Sequence, residues 1–327
     1  MGHARQGRAS GACFGGASPR SDRAENRAPV LRGAIVSILD YEYLRRLLRE
    51  RSGLVLSADK QYLVESRLLP VARKAGFANV GALVQRLRAP DSEALATSVT
   101  EAMTTNESFF FRDRIPFEHF RATMMPQLLA ARASRRRVRI WCAAASSGQE
   151  PYSLAMLLKE MSERISGWHI EIVATDICSE VLERARCGIY NQFEVQRGLP
   201  IALLLKYFTQ IGENWQIAPA LRAMVSFRQL NLIGDFAHLG MFDMVFCRNV
   251  LLYFDQQTKS RVLDRLARVM ERDGYLVLGA AETVVGLTEA FRPVAESRGL
   301  YAPSAVAGHA GAALKVAGHL RVAAAAS

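Results

Sequence analysis

The sequence has few cysteines and histidines, and neither type is arranged as a disulfide framework or a metal site requires. Its five cysteines are an odd number without Cys-x-x-Cys spacing, so disulfides and structural zinc are not expected. The six histidines are scattered, three of them near the two ends of the chain. No apolar run reaches the roughly 18 residues of a membrane-spanning helix, and the N-terminus lacks the apolar core of a signal peptide. We therefore expect a cytoplasmic protein without metal and without membrane insertion.

The net charge of +11 is unevenly distributed along the chain. Six arginines against two acidic residues give residues 1–32 a net charge of +4, and residues 303–327 add +2. Both ends are rich in small residues and have little patterned apolar surface, so we expect them to be disordered tails. Residues 33–302 carry only +5. The charge of the folded part therefore gives little reason to expect a nucleic-acid partner.

Residues 33–104 have the pattern of an all-helical domain. The stretches "DYEYLRRLLRER", "DKQYLVESRLLPVARKAG", "VGALVQRLRA" and "SEALATSVTEAM" each place apolar residues at helical spacing. No strand pattern separates them. We expect about four helices, the second of them interrupted at Pro70.

From Ser134 onward, short apolar runs alternate with helical patterns. The runs are "VRIWCA", "HIEIVAT", "VSFRQLN", "FDMVFCRN" and "YLVLGA", and this alternation predicts an α/β fold with a doubly wound parallel sheet over residues 105–302. The final stretch "AFRPVAESRGLYAP" is too short for a crossover helix and predicts a closing antiparallel hairpin. Residues 189–224 do not fit the alternation, so we expect an inserted subdomain there.

Two strand ends carry the features of a nucleoside site. The small-residue turn "AAASSGQEP" around Gly148 would let backbone amides approach a ligand. Asp176 ends the second strand, where an acidic side chain binds ribose hydroxyls, although it could equally cap the next helix. The Gly-x-Gly-x-x-Gly of dinucleotide sites is absent. A cofactor with adenosine but no pyrophosphate, such as S-adenosylmethionine (SAM), fits better, and Glu150 could bind its ammonium group.

Five stretches together carry a family resemblance. In order and spacing, "TTNESFFFRD", "WCAAASSGQEPYSLAML", "VATDIC", "LNL" and "FDMVFCRNVLLYFD" closely resemble the CheR-type chemotaxis receptor methyltransferases, over about residues 41–301. The resemblance implies an all-helical N-terminal domain on a SAM-binding, Rossmann-like α/β domain with a small inserted β-subdomain. It implies a reaction that moves a methyl group from SAM to glutamate side chains on the cytoplasmic helices of chemoreceptors. By the same match, nine residues contact SAM: Asn106, Ser108, Arg112, Glu150, Asp176, Asn231, Leu232, Arg248 and Asn249.

The segment "TTNESFFFRD" would cross from the helical domain onto the cofactor, with its phenylalanines in the packing and its polar residues at the ligand. The chain departs from the family pattern in three places. Ser108 replaces the usual threonine, and Gln149 replaces a first glutamate. The sequence "GAAET" after the last parallel strand leaves the role of Glu282 open.

The implied reaction needs orientation of the substrate more than it needs proton transfer. A glutamate carboxylate, with an ordinary pKa of about 4.3, is already ionised at neutral pH, so a general base is unnecessary. We expect Arg112, Arg248 and Tyr253 to position it. The alternatives are a surface ion pair of Arg112 with Asp113 or Glu118, and a core position for Tyr253 with its hydroxyl satisfied.

Receptor binding would use a basic face of the helical domain, with Arg67, Arg73 and Lys74 as candidates. The alternative for these three residues is an ordinary solvated helix face.

Two rival functions remain open from the sequence. The basic run "RASRRRVR" prompts a nucleic-acid methyltransferase, but Asn249-Val250-Leu251 stands where base-amino methylation typically uses Asn/Asp-Pro-Pro-aromatic. We expect the run to be a solvated linker. The other rival is a non-catalytic SAM-dependent sensor, against which the retention of Arg112, Arg248 and Tyr253 argues.

Overall fold

The computed structural model describes residues 36–304, so both predicted tails lie outside the described residues. No helix within this part of the chain is long and apolar enough to cross a membrane. The α-helices are α1 Ile38–Ser52, α2 Gln61–Lys74, α3 Val80–Leu87, α4 Glu93–Met103, α5 Ile115–His119, α6 Met125–Ala131, α7 Gln149–Glu160, α8 Ser179–Cys187, α9 Gln192–Gln196, α10 Ile201–Tyr207, α11 Pro219–Arg222 and α12 Gln256–Arg268. The strands are β1 Arg137–Cys142, β2 His169–Asp176, β3 Ile189–Asn191, β4 Phe208–Ile211, β5 Asn214–Ile217, β6 Val225–Gln229, β7 Phe242–Cys247, β8 Met270–Leu278, β9 Phe291–Pro293 and β10 Leu300–Pro303.

The main sheet has seven strands in the order β6-β2-β1-β7-β8-β10-β9. Strands β6, β2, β1, β7 and β8 are parallel, and β10 pairs antiparallel with both β8 and β9. This arrangement confirms the predicted doubly wound sheet and its closing hairpin. The five parallel strands end at one edge, which is where open α/β sheets bind ligands.

The first four helices pack around a core of their own. Leu44, Leu48, Leu68 and Leu83 are fully buried in it, which confirms the predicted helical domain. The prediction that Pro70 interrupts the second helix is wrong, because α2 continues to Lys74. A proline inside a helix removes one backbone hydrogen bond, and here the packing of α2 against α3 and α4 compensates for that loss.

The inserted segment forms a three-stranded antiparallel sheet in the order β3-β5-β4, which confirms the predicted β-subdomain. Its aromatic residues contact one phenylalanine of residues 104–114, the segment called the crossover below. The ring of Phe110 packs edge-on against Tyr190 at 5.0 Å and Phe208 at 5.6 Å between centroids. Phe110 is fully buried. The crossover is therefore fixed from outside by the inserted sheet.

The basic run before β1 is only in part the solvated linker that the sequence predicts, because Arg135, Arg136 and Arg137 are exposed whereas Arg132 is not. Arg132 is buried, and its Nε donates to Asp243 Oδ1 at 2.8 Å while its Nη1 donates to Asp273 Oδ2 at 2.6 Å. Arg135 reaches the same Asp243 carboxylate at 3.0 Å, and the backbone N–H of Arg139 donates to it as well. The run therefore joins strands β1, β7 and β8 through ion pairs.

Gly198 allows the close contact between the inserted segment and the crossover. A Cβ atom at Gly198 would lie 2.1 Å from the carbonyl oxygen of Phe110, whereas one at Gly212 would meet nothing within 4 Å. Both glycines have left-handed φ angles, +84° and +59°. We expect Gly212→Ala to cost about 1 kcal/mol of backbone strain and Gly198→Ala about 2 kcal/mol more, from overpacking. Urea denaturation measures the difference, and equal losses in the two variants would contradict this account.

Candidate active site

A cavity at the carboxyl edge of the parallel strands brings together every predicted site residue. Its wall comprises the crossover, the loops after β1, β2, β6 and β7, and the end of α1. The ten predicted residues among its lining are Asn106, Ser108, Arg112, Glu150, Asp176, Asn231, Leu232, Arg248, Asn249 and Tyr253. These residues are spread over almost 150 positions of the sequence, and the fold brings all ten of them to one cavity.

Asp176 is buried at the end of β2 and fixes two loops. Its Oδ2 accepts the backbone N–H of Ser146 at 2.8 Å, and its Oδ1 accepts that of Cys178 at 3.0 Å. Cys178 is the N-cap residue of α8, so Asp176 braces the loop before the helix and is not itself the cap. Burial raises the pKa of the Asp176 carboxyl, while these backbone amides act to lower it.

Glu150 and Arg248 form a buried ion pair. Glu150 lies in the first turn of α7, and its Oε2 accepts from Arg248 Nη1 at 2.7 Å. Burial raises the pKa of the Glu150 carboxyl, and the Arg248 guanidinium opposes that effect. Arg248 Nη2 also contacts Asp113 Oδ2 and the carbonyl oxygen of Arg112, both at 2.8 Å. Both terminal nitrogens of Arg248 are thus engaged by the protein.

The crossover that closes the cavity has an unusual backbone. Phe111, Asp113 and Arg114 have φ angles of +52°, +68° and +51°, which non-glycine residues seldom adopt. The segment is held by Arg248 and by the Ser153 hydroxyl, which accepts the backbone N–H of Phe111 at 3.0 Å. Such strain persists only where the surrounding structure enforces it, and it concentrates at functional sites.

Arg112 is half-buried and its side chain stays close to the crossover. Its Nη1 donates to the carbonyl oxygen of Glu107 at 2.8 Å, and its guanidinium lies over the Phe109 ring at 5.4 Å. Within residues 36–304 it forms no ion pair. The predicted alternative, a pair with Asp113 or Glu118, is not present, because Asp113 binds Arg248 instead.

The comparisons with known proteins agree along the whole described chain. The family model for the CheR methyltransferase all-alpha domain matches residues 39–104, and that for the CheR methyltransferase SAM-binding domain matches residues 106–300. The chain belongs to the CheR methyltransferase family. It is a SAM-dependent methyltransferase of chemotaxis.

Three relatives show how much of the chain the sequence similarity covers. Chemotaxis protein methyltransferase 1 of Pseudomonas aeruginosa is 42% identical over 265 residues, 80% of this chain and 96% of the relative. The chemotaxis protein methyltransferase of Vibrio parahaemolyticus is 39% identical over 264 residues, covering 79% and 95%. That of Borreliella burgdorferi is 34% identical over 248 residues, covering 74% and 87%. The similarity therefore includes both the helical and the α/β parts.

The chemistry of the cavity fits SAM, the cofactor of this family. Arg248 Nε is buried and has no hydrogen-bond partner in the described part of the chain, so an oxygen acceptor from a ligand would satisfy it. Asp176 lines the cavity at the end of β2, the position from which an acidic side chain would bind ribose hydroxyls in such sheets. Leu230, Leu232 and Ile177 supply apolar surface on the same wall. The lining of the cavity thus offers the anionic, cationic and apolar groups that a zwitterionic nucleoside requires.

Asn106 and Asn231 use their amides and carbonyls to join parts of the wall. The Asn106 carbonyl oxygen accepts from the Ser146 hydroxyl at 2.8 Å. Asn231 Nδ2 donates to the Arg51 carbonyl oxygen at the end of α1, and its Oδ1 accepts the N–H of Ile233. Ser108 lines the wall between them. The Ser146 hydroxyl is a site feature that sequence reasoning missed, because small residues in a turn carry no chemical signal of their own.

Glu282, whose role the sequence leaves open, organises the loop after β7. Its two carboxylate oxygens accept four backbone N–H groups, two each, at 2.7 to 3.3 Å. The donors are Gly279, Asn249, Val250 and Leu252. Asn249 has a φ of +58°, so the carboxylate fixes a strained turn that also positions Tyr253. Glu282 acts on the site through this backbone and is a positioning residue.

Replacing Glu282 by glutamine should disturb this loop without changing its bulk. The amide nitrogen cannot accept, so at least one backbone N–H loses its charged acceptor, at about 1.5–3 kcal/mol. We expect methyltransferase kcat/KM to fall about tenfold to a hundredfold. Glu289→Gln, an exposed change farther along the same loop, is the control. A Glu282→Gln enzyme as active as the control would contradict the positioning role.

Proposed function

We propose that this CheR methyltransferase transfers the methyl group of SAM to the side-chain carboxylate of glutamates on the cytoplasmic helices of a chemoreceptor. The products are a glutamate methyl ester and S-adenosylhomocysteine. The observation that carries the proposal is the common cavity of Arg112 and Tyr253 with Glu150 and Asp176. This cavity supplies a cation and a hydroxyl for an incoming carboxylate. The name shared by the curated relatives supports a role in chemotaxis. Because the proposed substrate is a cytoplasmic part of a receptor, we propose that the enzyme acts in the cytoplasm.

The proposed mechanism rests on orientation and on charge. When bound, SAM supplies an electrophilic methyl group on a sulfonium centre. The acceptor carboxylate is ionised at neutral pH, so no proton has to be removed. Arg112 and Tyr253 hold this carboxylate in line by hydrogen bonding. Because a cation and an anion become neutral products, a site shielded from water favours the transfer.

Tyr253 is the better placed of the two for contact with the substrate. It is half-buried in a short 3-10 turn, Leu251–Tyr253, and lines the cavity. Its hydroxyl has no hydrogen-bond partner among residues 36–304, in contrast to the buried hydroxyls of Tyr152 and Tyr190. The alternative of a core tyrosine with a satisfied hydroxyl therefore loses its support. We propose that this hydroxyl donates to the acceptor carboxylate.

Arg248 has a different part in the proposed mechanism from the one that the sequence suggests. Since Glu150, Asp113 and the Arg112 carbonyl engage both its terminal nitrogens, it does not grip the substrate. We propose that it positions Arg112 through the backbone and offers its Nε to the cofactor. Asn106, Ser108, Asn231, Leu232 and Asn249 complete the proposed cofactor-binding set.

Receptor recognition by the helical domain remains part of the proposal, with a division of roles. Arg67 donates to the carbonyl oxygens of Met103 and Thr104, at 2.7 and 3.0 Å, and so braces the start of the crossover. Arg73 and Lys74 are exposed at the end of α2. We propose that these two contact the receptor and that Arg67 supports the site indirectly.

The proposed reaction has a direct test. Incubation with SAM labelled in the methyl group and a receptor cytoplasmic fragment should place label on glutamates, and mild base should release it because esters hydrolyse. Mass mapping identifies the residues. Base-stable label, or label on nucleic acid alone, would overturn the proposal.

Asp176→Asn tests the cofactor site separately from the reaction. We expect the Kd for S-adenosylhomocysteine, measured by calorimetry, to rise about tenfold or more, because a charged acceptor becomes a neutral amide. In the unchanged protein, affinity should fall as the pH decreases through the raised pKa of Asp176. That fall should be absent in Asp176→Asn. Glu180→Ala, an exposed change in the first turn of α8, is the control, and unchanged affinity in Asp176→Asn would refute this assignment.

Tyr253→Phe separates orientation of the substrate from binding of the cofactor. Loss of one hydrogen bond to a charged group should lower kcat about tenfold to a hundredfold and leave the affinity for S-adenosylhomocysteine unchanged. Tyr207 lies on the inserted subdomain and outside the cavity lining, and Tyr207→Phe removes a hydroxyl that contacts Glu160 at the end of α7. Equal kcat values in these two variants would show that the Tyr253 hydroxyl does not contact the substrate.

A further inference from the structure

A second, larger concavity lies between α1 and α12. It is an open cleft of about 1050 Å³, here called the arginine cleft. Three arginines from each helix line it, together with four acidic residues. The six are Arg45, Arg46 and Arg49 on α1 and Arg261, Arg265 and Arg268 on α12. Its lining therefore has two more positive than negative charges.

The positive charge of the arginine cleft is compensated only in part. On α1, Arg45 pairs with Glu42 at 2.8 Å and Arg49 pairs with Asp255 at 2.7 Å. On α12, the nearest polar contact of Arg261 is the Thr258 hydroxyl at 3.2 Å. Arg268 is exposed and has no hydrogen bond or ion pair within residues 36–304. Among residues 36–304, Arg46 on α1 and both Arg261 and Arg268 on α12 thus have no carboxylate partner.

The arginines of α12 share one helix face because they are spaced four and three residues apart. Arg265 lies between the other two, and its guanidinium donates to the carbonyl oxygens of Leu232 and Ile233. Burial lowers the pKa of Arg265, the Asp235 carboxylate opposes that effect, and the nearby positive charges of Arg261 and Arg268 lower the pKa further. A row of like charges held this closely is stabilised by an anionic partner.

The arginine cleft and the cofactor cavity share a wall. Leu54 and Tyr253 line the cavity, whereas Val55 and Asp255 line the cleft. The backbone N–H of Val55 donates to the carbonyl oxygen of Tyr253 at 2.9 Å. A partner in the cleft would therefore lie one layer of chain away from the tyrosine that orients the acceptor.

We propose that the arginine cleft docks an acidic α-helix of the protein substrate, the helix that carries the glutamate to be methylated or its neighbour. This inference rests on the proposed function. A helix is about 10–12 Å across, so about two turns of it fill 1050 Å³. The substrate must bear at least one carboxylate, and further carboxylates on the same helix would meet Arg261 and Arg268. Such complementarity sets partner choice and speeds encounter more than it tightens the final complex.

The cleft is separate from the α2 surface of Arg73 and Lys74. It combines a helix from each part of the protein, α1 and α12, and so has its full charge only when both are in place. A receptor helix held at both surfaces would be fixed in direction and in register. That would restrict methylation to glutamates at a set distance from an acidic cluster.

The test measures methylation of the receptor cytoplasmic fragment by the full chain carrying Arg261→Glu and Arg268→Glu together. We expect the KM for the receptor to rise about tenfold or more, with kcat at saturating receptor and the Kd for S-adenosylhomocysteine unchanged. The salt dependence of KM should become shallower. Arg164→Glu, an exposed change in the segment before β2 and outside the lining of the cleft, should alter none of these. Thermal unfolding checks that the double variant is folded, and Arg261→Gln with Arg268→Gln provides a milder pair.

The outcomes distinguish the cleft from the reaction. If the unchanged protein methylates receptor glutamates and the double variant keeps the same KM, the cleft inference is overturned and the proposed function stands. If ATP, used as a compact polyanion, binds the unchanged protein but not the double variant while the receptor KM stays equal, the cleft is a small-anion site and the inference also fails. Replacing acidic residues on the receptor helix by lysine should restore a low KM specifically to the double variant.

Discussion

The buried guanidinium of Arg248 is the interaction on which the site depends. Arg248 directly follows strand β7. Its guanidinium binds Glu150 in the first turn of α7, and it binds Asp113 and the Arg112 carbonyl in the crossover. A buried cation is tolerable only when such partners surround it, and removal of the buried Glu150 would leave Arg248 with only the more exposed Asp113 as a carboxylate partner. Three crossover residues have left-handed backbones, and each of them costs of the order of 1–3 kcal/mol. The ion pairs of Arg248 hold the strained crossover in place across the cavity.

The three carboxylates of the site have separate tasks, which the residue type alone does not reveal. Glu150 binds a guanidinium, Asp176 binds two loop amides and faces the cavity, and Glu282 binds four amides and supports a turn. None of them is arranged beside a histidine or a hydroxyl as a general base would be. This absence of acid-base pairing agrees with a reaction whose nucleophile is already ionised.

The fold could be predicted from sequence because its signals are local: strand ends are visible as short apolar runs, and Asp176 follows one of them directly. Most other members of the predicted site, among them Asn231 and Arg248, are implied only by the resemblance to the CheR-type family. The roles of Arg248 and Glu282 could not be predicted, since their partners are backbone groups or side chains that periodicity does not locate. The burial of Arg132 in the basic run before β1 could not be predicted for the same reason. Its ion-pair partner Asp243 comes more than a hundred residues later in the sequence.

The helical part of the chain forms one wall of the cofactor cavity. Ser52 and Leu54 line the cavity from the end of α1, and Asn231 of the α/β part donates to the Arg51 carbonyl between the two sides. The Val55 amide holds the backbone of Tyr253 in the same way. The two family models divide the chain near residue 105, yet the cavity is complete only with residues from both. A movement of α1 relative to β7 would therefore change the position of Tyr253 and the shape of the cofactor site together. The proposed docking of a substrate helix in the arginine cleft would in this way be linked to the position of Tyr253.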